Sequence, residues 1–318
     1  MSKKISFVSP CYNEEKNVYP FYNLVKETMK GKKFQYEIVF VNDGSRDKTM
    51  EELEDIYKTD PEHITVVNFL HNFGKEAAML AGLKNATGDY ICTIDSDLQQ
   101  DPKYGVQMAN ILEENDSIDM VAAKPSNEKD SFILSFFKKS FYKIINAIAT
   151  VPFYQGVSDF RVFRKNVCDA IVSMPEHNRF SKGIFSWVCP NIKCIDYEVK
   201  DRANGTTKWS FFKLFKYAFE GICSFSHAPL LFPIIFGAIE LFTAIALGLI
   251  TVIGHIANWF IPFDIMWLFV VLLGVTGIQS ISTGIIGQYL AKVHTETTNR
   301  PIYIIKEILN KENYKNVD

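Results

Sequence analysis

Short apolar runs alternate with amphipathic stretches through the N-terminal part of this 318-residue chain. The runs with the length and composition of buried strands are residues 5–9, 37–41, 64–69, 90–94 and 120–123. The stretches whose apolar positions recur with helical spacing are residues 17–29, 48–57, 75–85 and 102–114. This alternation predicts an α/β fold with right-handed crossovers and a Rossmann-like, mainly parallel sheet covered on both faces. Ligands of such sheets bind beyond the carboxyl ends of the strands.

The C-terminal part is strongly apolar. Between Glu220 and Asp264 the only charged residue is Glu240, and between Asp264 and Lys292 there is none. Each stretch can cover the ~30 Å of a bilayer core at about 1.5 Å per residue. The pattern therefore predicts a C-terminal two-helix transmembrane hairpin. Lys and Arg lie on both flanks of the hairpin but not in its connecting loop, which predicts a multi-pass protein of the cytoplasmic (inner) membrane with its large N-terminal domain in the cytoplasm.

Two further segments, residues 136–148 and 209–225, have Phe and Ile on one helical face and Lys on the other. Basic amphipathic helices of this kind favour the headgroup layer of a membrane. Ordinary helices that pack on the domain core would show the same pattern, so both interpretations stay open.

Composition narrows the choice of partners. A net charge of -2 argues against nucleic acid, because binding to a phosphate backbone normally needs a basic domain. The six cysteines form no CxxC pair, which favours reduced, buried thiols over disulfides or zinc. Residues 1–9 lead directly into a strand pattern, so we expect no cleavable signal peptide.

Acidic and amide side chains follow three of the predicted strands. They are Asn13 and Glu14, then Asp43 and Ser45, and finally Asp95 and Asp97. Each turn alone could be a simple loop, and Asp97 could cap the following helix. At one edge of one sheet, however, such groups could bind a base and a ribose beside a divalent cation that neutralises a diphosphate.

These segments together resemble the polyprenyl-phosphate glycosyltransferases of family 2, the group that holds dolichyl-phosphate mannose synthase and the bactoprenol glucosyltransferases. The matching segments are PCYNEE (10–15), VNDGSRD (41–47), FGKE (73–76), DSDLQQDP (95–102), DFR (159–161) and RANGTTKW (202–209). The resemblance covers nearly the whole chain. It implies a GT-A catalytic domain, an inverting mechanism and a Mg²⁺ or Mn²⁺ ion.

The resemblance also implies roles for individual residues. It makes Asp159 and Asp97 the catalytic pair, and Asp97, Gln99 and Asp95 the metal ligands. The residues expected at the nucleotide-sugar are Pro10, Asn13, Glu14, Asp43, Ser45, Lys75 and Asp95. For the acceptor phosphate the resemblance implies Arg202 and Lys208, with Arg161 in the segment DFR. Arg179 and Lys182, in the segment 178–187, could add to the same cationic patch. A surface loop that merely attracts anionic lipid is the alternative for the segment around Arg202 and Lys208.

One physical argument qualifies the role of Asp159. A phosphate monoester has its second pKa near about 6, so the acceptor is already largely a dianion at neutral pH. Asp159 could therefore orient the acceptor or Arg161 rather than remove a proton, or it could simply cap a helix.

The resulting hypothesis is single-hexose transfer, with glucose from UDP-glucose as the donor and undecaprenyl phosphate in a lipid bilayer as the acceptor. The alternatives are a GDP-mannose-dependent polyprenyl-phosphate mannose synthase and a non-catalytic membrane scaffold. A processive polysaccharide synthase is disfavoured because no QxxRW motif occurs.

The expected domains are a nucleotide-sugar-binding core (1–134), an acceptor-side region with the interfacial helices (135–227), the two transmembrane helices (228–291) and a cytoplasmic tail (292–318). The small residues of the segment 274–287 permit helix association, and we expect a homo-oligomer.

Overall fold

The structure is a computed structural model that describes residues 2–126, 142–143, 146–147, 154, 156–174, 176–177, 179–189, 192–200 and 265–311, with isolated positions between 233 and 257. Within these residues the chain folds around an eight-stranded mixed sheet. The strands are β1 (Lys4–Cys11), β2 (Gln35–Asn42), β3 (Ile64–Phe69), β4 (Tyr90–Thr93), β5 (Met120–Pro125), β6 (Arg161–Arg164), β7 (Lys193–Tyr197) and β8 (Ile305–Leu309).

The strand order is β7-β5-β6-β4-β1-β2-β3-β8. The four central strands β4, β1, β2 and β3 are parallel to one another, as the alternation of strands and helices predicts. Outside this centre, β6 pairs antiparallel with both β4 and β5, β8 pairs antiparallel with β3, and β5 pairs parallel with β7. The prediction of a mainly parallel sheet is therefore confirmed for its centre, and the antiparallel strands β6 and β8 make the sheet mixed.

Helices cover both faces of the sheet. They are α1 (Val18–Met29), α2 (Thr49–Thr59), α3 (Lys75–Asn85), α4 (Pro102–Glu114), α5 (Lys165–Ser173) and α6 (Ser181–Val188). A long helix, α7 (Ile265–Thr297), precedes β8, and its described side chains are mostly exposed. One buried cluster joins α1, α2 and α4 to residues such as Phe7 and Phe40 of the sheet. A second cluster joins α3, α5 and α6 to the opposite face, through residues such as Val8 and Phe163. Because alternate strand residues point to opposite faces, the central strands are apolar on both sides.

Helix α3 packs very close to the sheet because its inner face consists of small residues. Ala77, Ala78 and Ala81 are buried there, and a Cβ added at Gly82 would collide with the side chain of Val8 on β1. This close approach fixes the position of the first residue of α3, Lys75, at the carboxyl ends of the central strands.

The C-terminal strand β8 completes one edge of the sheet. The Tyr303 ring, two residues before β8, stacks on Phe69 of β3 with ring centroids 4.9 Å apart. Beyond the strand, the Tyr57 hydroxyl of α2 donates to the backbone oxygen of Asn310 at 2.7 Å. No local pattern in the sequence predicts β8, and this C-terminal segment is part of the α/β core.

In the part of the chain that the structure describes, no helix combines the length and the apolar character that a bilayer crossing requires. This finding contradicts the predicted two-helix transmembrane hairpin, and with it the predicted multi-pass position in the inner membrane. The prediction rested on the length of the apolar runs and on the absence of charged residues, which do not by themselves establish a spanning helix. Most of the first predicted hairpin helix lies outside the described residues, as does most of the two predicted interfacial helices.

The cysteines are largely as predicted. Cys11, Cys92, Cys168 and Cys189 are buried with free thiols, whereas Cys194 is free and exposed. Cys223 lies outside the described residues.

Candidate functional site

Two turns at the carboxyl ends of β1 and β2 are joined side by side. Asn13 adopts a left-handed conformation (φ 57°), which its short polar side chain tolerates. Its N–H donates to Ser45 Oγ at 3.0 Å, and its Oδ1 accepts from the Arg46 N–H at 2.9 Å. The Glu14 N–H donates to Thr49 Oγ1 at 2.8 Å. The structure thus brings Asn13, Glu14 and Ser45 together, as predicted from the sequence.

Asp43, at the end of β2, organises the loop that precedes α3. Its carboxylate accepts from the Phe73 N–H at 2.7 Å, from the Gly74 N–H at 3.0 Å and from Asn72 Nδ2 at 2.9 Å. Burial raises the pKa of Asp43, while the two backbone N–H groups oppose this shift. Gly74 has φ 95°, a conformation that favours glycine. Asp43 therefore holds the entry to α3 in place.

Lys75 lies at the centre of the site, between two carboxylates that come from different elements. Its Nζ is 2.7 Å from Asp95 Oδ1, in the loop after β4, and 3.6 Å from Asp159 Oδ2, in the segment before β6. Desolvation alone would lower the pKa of Lys75, but the charges of Asp95 and Asp159 outweigh it and raise the pKa. The ammonium group thus connects the loop that contains Asp95 and Asp97 to the segment before β6 that contains Asp159.

The loop after β4 is tightly held. Leu98 adopts a left-handed conformation (φ 64°), and Asp97 Oδ1 accepts from the Gln99 N–H at 3.2 Å. Asp97 is only 9% exposed. The cap of α4 is not Asp97 but Asp101, whose Oδ1 accepts from the Lys103 N–H at 3.0 Å. Asp97 is therefore not the cap of α4.

Lys200 docks the segment after β7 on this loop. Its N–H donates to the Gln99 carbonyl at 3.1 Å, and its Nζ is 2.9 Å from Asp101 Oδ2. Burial alone would raise the pKa of Asp101, yet the bonds from Lys200 and Lys103 lower it. Arg202 and Lys208 follow in the sequence but lie outside the described residues. The sequence alone does not single out Lys200, because a lone lysine carries no spacing signal.

The loop after β4 offers oxygen donors that suit a divalent cation. In the described part of the chain, no three His, Cys, Asp or Glu side chains lie close enough to hold an ion by themselves. Mg²⁺, however, commonly takes only one or two carboxylates from the protein and completes its shell with water and substrate phosphates. Asp95, Asp97 and Gln99 supply oxygen donors of that kind, so the residues fit a cation that binds together with a diphosphate.

Asp159 lies among positive charges. Its partial burial would raise its pKa, but Lys75, Lys182 and Arg161 lower it below the usual range. The neighbouring Glu76 behaves in the opposite way, because burial raises its pKa even though it accepts hydrogen bonds from Ser181. The structure therefore keeps Asp159 ionised at neutral pH.

Arg161 is the most deeply buried cation of the site, at 3% exposure. Its Nη2 donates to the Ser158 carbonyl at 2.8 Å, and its guanidinium carbon is 4.1 Å from the centre of the Phe185 ring. Burial lowers its pKa to about 10. Its Nε has no hydrogen-bond partner among the described residues, and Arg161 lines a pocket with Lys182 and Ser186.

Arg179 is held differently. Its guanidinium donates to the carbonyls of Met174 at 2.9 Å and Ile171 at 3.1 Å, at the C-terminal end of α5. Burial lowers its pKa, while Glu176 opposes this shift. These contacts stabilise the helix end, which is a common position for arginine.

Comparison with known proteins identifies the class. The profile of the family described as Glycosyl transferase family 2 matches residues 6–172. CsbB of Bacillus subtilis (strain 168), named as a glycosyltransferase, is 36% identical over 310 residues, which cover 97% of this chain and 93% of that protein. The protein named prophage bactoprenol glucosyl transferase homolog of Escherichia coli (strain K12) is 38% identical over 316 residues, covering 96% of this chain and 99% of that one.

A solved structure of glucosyl-3-phosphoglycerate synthase from Mycobacterium tuberculosis, in complex with Mn²⁺, UDP-glucose and phosphoglyceric acid, aligns with a TM-score of 0.47 and 15% identity, covering 70% of this chain and 78% of that one. The family profile and the near full-length relatives show that the chain belongs to glycosyltransferase family 2. It is a transferase enzyme with a GT-A-like α/β fold, which confirms the family resemblance seen in the sequence.

Proposed function

We propose that this protein transfers one hexose, glucose from UDP-glucose, to the phosphate of a polyprenyl phosphate such as undecaprenyl phosphate. The observation that carries this proposal is the position of Lys75 between Asp95 and Asp159. This ion cluster supports a site in which the donor loop and the acceptor side meet at Lys75. A bilayer as the source of the acceptor, and self-association of the chain, belong to the same proposal.

The relatives support the choice of sugar and acceptor. Proteins named bactoprenol glucosyl transferase, from Shigella phages SfII and SfV, are 36% and 35% identical to this chain over nearly its whole length. Similarity of this extent favours a shared acceptor class. A GDP-mannose donor is the alternative that the experiment below distinguishes.

The proposed reaction is an in-line displacement. An oxygen of the acceptor phosphate attacks C1 of the sugar and forms a new C1–O bond. The bond between C1 and the diphosphate oxygen breaks, the configuration at C1 inverts, and UDP leaves with the electron pair. Close approach of the two substrates and fixed positive charges supply the acceleration.

No proton has to be removed from the acceptor, because a phosphate monoester is largely a dianion at neutral pH. This agrees with the low pKa of Asp159, since an ionised carboxylate surrounded by cations is a weak base. Asp159 therefore orients Lys75 and Arg161, whose charges face the reacting phosphates.

The base and ribose would bind against the turns after β1 and β2, where they would contact Asn13, Glu14, Asp43 and Ser45, with Pro10 in β1 beside them. Asp97 and Gln99, with Asp95, would hold a Mg²⁺ or Mn²⁺ ion, which when bound neutralises charge on the diphosphate.

Cations on the Asp159 side of Lys75 would bind the acceptor phosphate. Arg161 and Lys182 line one pocket there, and Arg161 Nε, which has no partner among the described residues, can donate to an anion. Arg202 and Lys208 would add further positive charge. Arg179 would contribute charge while its Nη1 and Nη2 each donate to a carbonyl group.

The test is transfer of radiolabelled sugar. The purified protein is incubated in detergent with undecaprenyl phosphate, Mg²⁺ or Mn²⁺, and in turn UDP-glucose, UDP-N-acetylglucosamine, UDP-galactose and GDP-mannose. The expected result is label in the organic phase from UDP-glucose alone.

Asp97→Ala should abolish this label, whereas Asp55→Ala, which alters an exposed carboxylate of α2, should leave it unchanged. Label from GDP-mannose would establish the alternative donor. A folded protein that labels no lipid from any of the four donors would refute the proposal.

A further inference from the structure

We infer that Glu307 of the C-terminal strand β8 positions the proposed donor-binding turn, and that it acts through Asn68 and Asn42. These residues lie outside the roles proposed above for donor and acceptor binding. The inference rests on the proposed function only in naming the turn 43–45 as a nucleotide contact.

A continuous row of hydrogen bonds runs across three neighbouring strands. Asn68 of β3 donates from Nδ2 to Glu307 Oε1 of β8 at 2.8 Å. Asn42 of β2 donates from Nδ2 to Asn68 Oδ1 at 2.9 Å. Asn42 Oδ1 in turn accepts from the Ser45 N–H at 3.2 Å. The row therefore ends inside the turn that also carries Asp43.

The two ends of this row fix the direction of its bonds. A carboxylate at Glu307 accepts, so Asn68 presents its NH₂ group to it and its Oδ1 to Asn42. At the other end the Ser45 N–H can only donate, so Asn42 presents its Oδ1 to Ser45 and its NH₂ group to Asn68. Without the carboxylate, the Asn68 amide could turn over, and its NH₂ group would then face the NH₂ group of Asn42, which loosens the side chain that accepts from Ser45.

The orientation of the Asn42 and Asn68 amides affects stability because both side chains are buried. Asn42 is 2% exposed and Asn68 is 4% exposed, so water cannot replace a lost partner at low cost. The turn itself is joined to the neighbouring turn, because Ser45 Oγ accepts from the Asn13 N–H. A misplaced Ser45 would therefore disturb both sides of the proposed nucleotide site.

β8 is well anchored for this role. The Leu70 N–H donates to the Ile304 carbonyl at 3.0 Å, and Tyr303 stacks on Phe69. β8 pairs with β3 so that Glu307 lies directly opposite Asn68. The side chain that orients the row is thus held in register by the sheet.

The test uses one variant that breaks the row of hydrogen bonds and a second that restores it. Asn68→Asp places two carboxylates against each other and should break the row. In the double variant Asn68→Asp with Glu307→Gln, the glutamine amide can donate to the new carboxylate, which can still accept from Asn42. Lys306→Ala, on the same strand but exposed, is the matched control.

The first readout is hydrogen exchange of the peptide that contains residues 43–47, which needs no ligand. Asn68→Asp should speed exchange there by about tenfold, and the double variant should return it to within about twofold of the parent. Lys306→Ala should leave exchange unchanged. Unchanged exchange in Asn68→Asp, or a double variant as fast as the single one, would overturn the inference.

The second readout is the dissociation constant for UDP with Mn²⁺, measured by calorimetry. Asn68→Asp should weaken binding by about tenfold, and the double variant should restore it. A parent protein that binds no UDP while the exchange results hold would refute the proposed donor and leave the positioning role intact. Normal UDP binding by folded Asn68→Asp would refute the positioning role alone.

Discussion

At the scale of single residues, the site depends on Lys75. Its ammonium group neutralises Asp95 and Asp159, which otherwise face each other across the loop after β4 and the segment before β6. The sequence placed Lys75 in the motif FGKE but did not reveal this bridging position, because its two partners are distant along the chain.

We predict that Lys75→Ala lowers kcat for lipid glycosylation by about 100-fold, because two carboxylates lose their shared counter-charge at the reacting phosphates. The measurement is the initial rate with saturating donor and acceptor. Lys58→Ala is the control, because Lys58 is exposed and pairs with an exposed Asp55 on α2. A rate in Lys75→Ala close to that of the parent would contradict the bridging role.

The buried carboxylate of Glu37 links the stability of the fold to pH. Glu37 is buried, and burial alone would raise its pKa, but hydrogen bonds from Ser6, Thr87 and Lys4 lower it. Its folded-state pKa lies below its unfolded value, so its ionised form stabilises the fold above that unfolded value. This contribution is lost as the pH falls through the folded-state pKa.

Glu37→Gln should therefore lower the free energy of unfolding by about 1–3 kcal/mol at pH 7, and by progressively less as the pH falls below about 4.5. Urea denaturation across this pH range measures the difference. A deficit that stays constant down to acid pH would show that the carboxylate charge is not responsible.

At the scale of elements, α3 connects packing to chemistry. Its small inner residues allow the helix to approach β1 and β2 closely, and that approach places Lys75 at the strand ends. The periodicity of residues 75–85 predicted the helix, but only the structure shows why Gly82 is needed within it.

We predict that Gly82→Ala destabilises the protein by about 1–3 kcal/mol, because the added methyl group collides with Val8 and outweighs the gain in helix propensity. Gly284→Ala is the matched control in α7, where an added Cβ meets no atom within 4 Å among the described residues. Thermal unfolding of both variants measures the difference. Equal stabilities would contradict the close packing of α3.

The elements that sequence predicted share one property, which is a strong local pattern. The central strands are apolar on both faces, and α1–α4 repeat with clear helical spacing, so residues near in sequence determine both. β6 has only four residues, and β7 and β8 have five each with mixed composition. Their pairing depends on distant partners, and no local sequence pattern predicts it.

The prediction of the transmembrane hairpin rested on apolar length and the absence of charge. The described helices do not support it.

At the scale of the whole molecule, the α/β core includes more of the chain than its motifs suggest. The acidic turns were predictable because they follow adjacent parallel strands, whose carboxyl ends meet at one edge. The contributions of Asp159, Lys200 and Glu307 come from antiparallel flanks and from segments after β7 and α7. Their positions follow from the topology of the sheet and not from spacing along the sequence.

The central claim is transfer of a single hexose to a polyprenyl phosphate, and the mass of the lipid product tests it most directly. The protein is incubated to completion with excess UDP-glucose and undecaprenyl phosphate, and the extracted lipid is analysed by mass spectrometry. The account predicts one product, heavier than the acceptor by a single anhydrohexose, and none from Asp97→Ala. A ladder of products with several hexoses would indicate a processive synthase, and unmodified acceptor after incubation with folded protein would contradict the account.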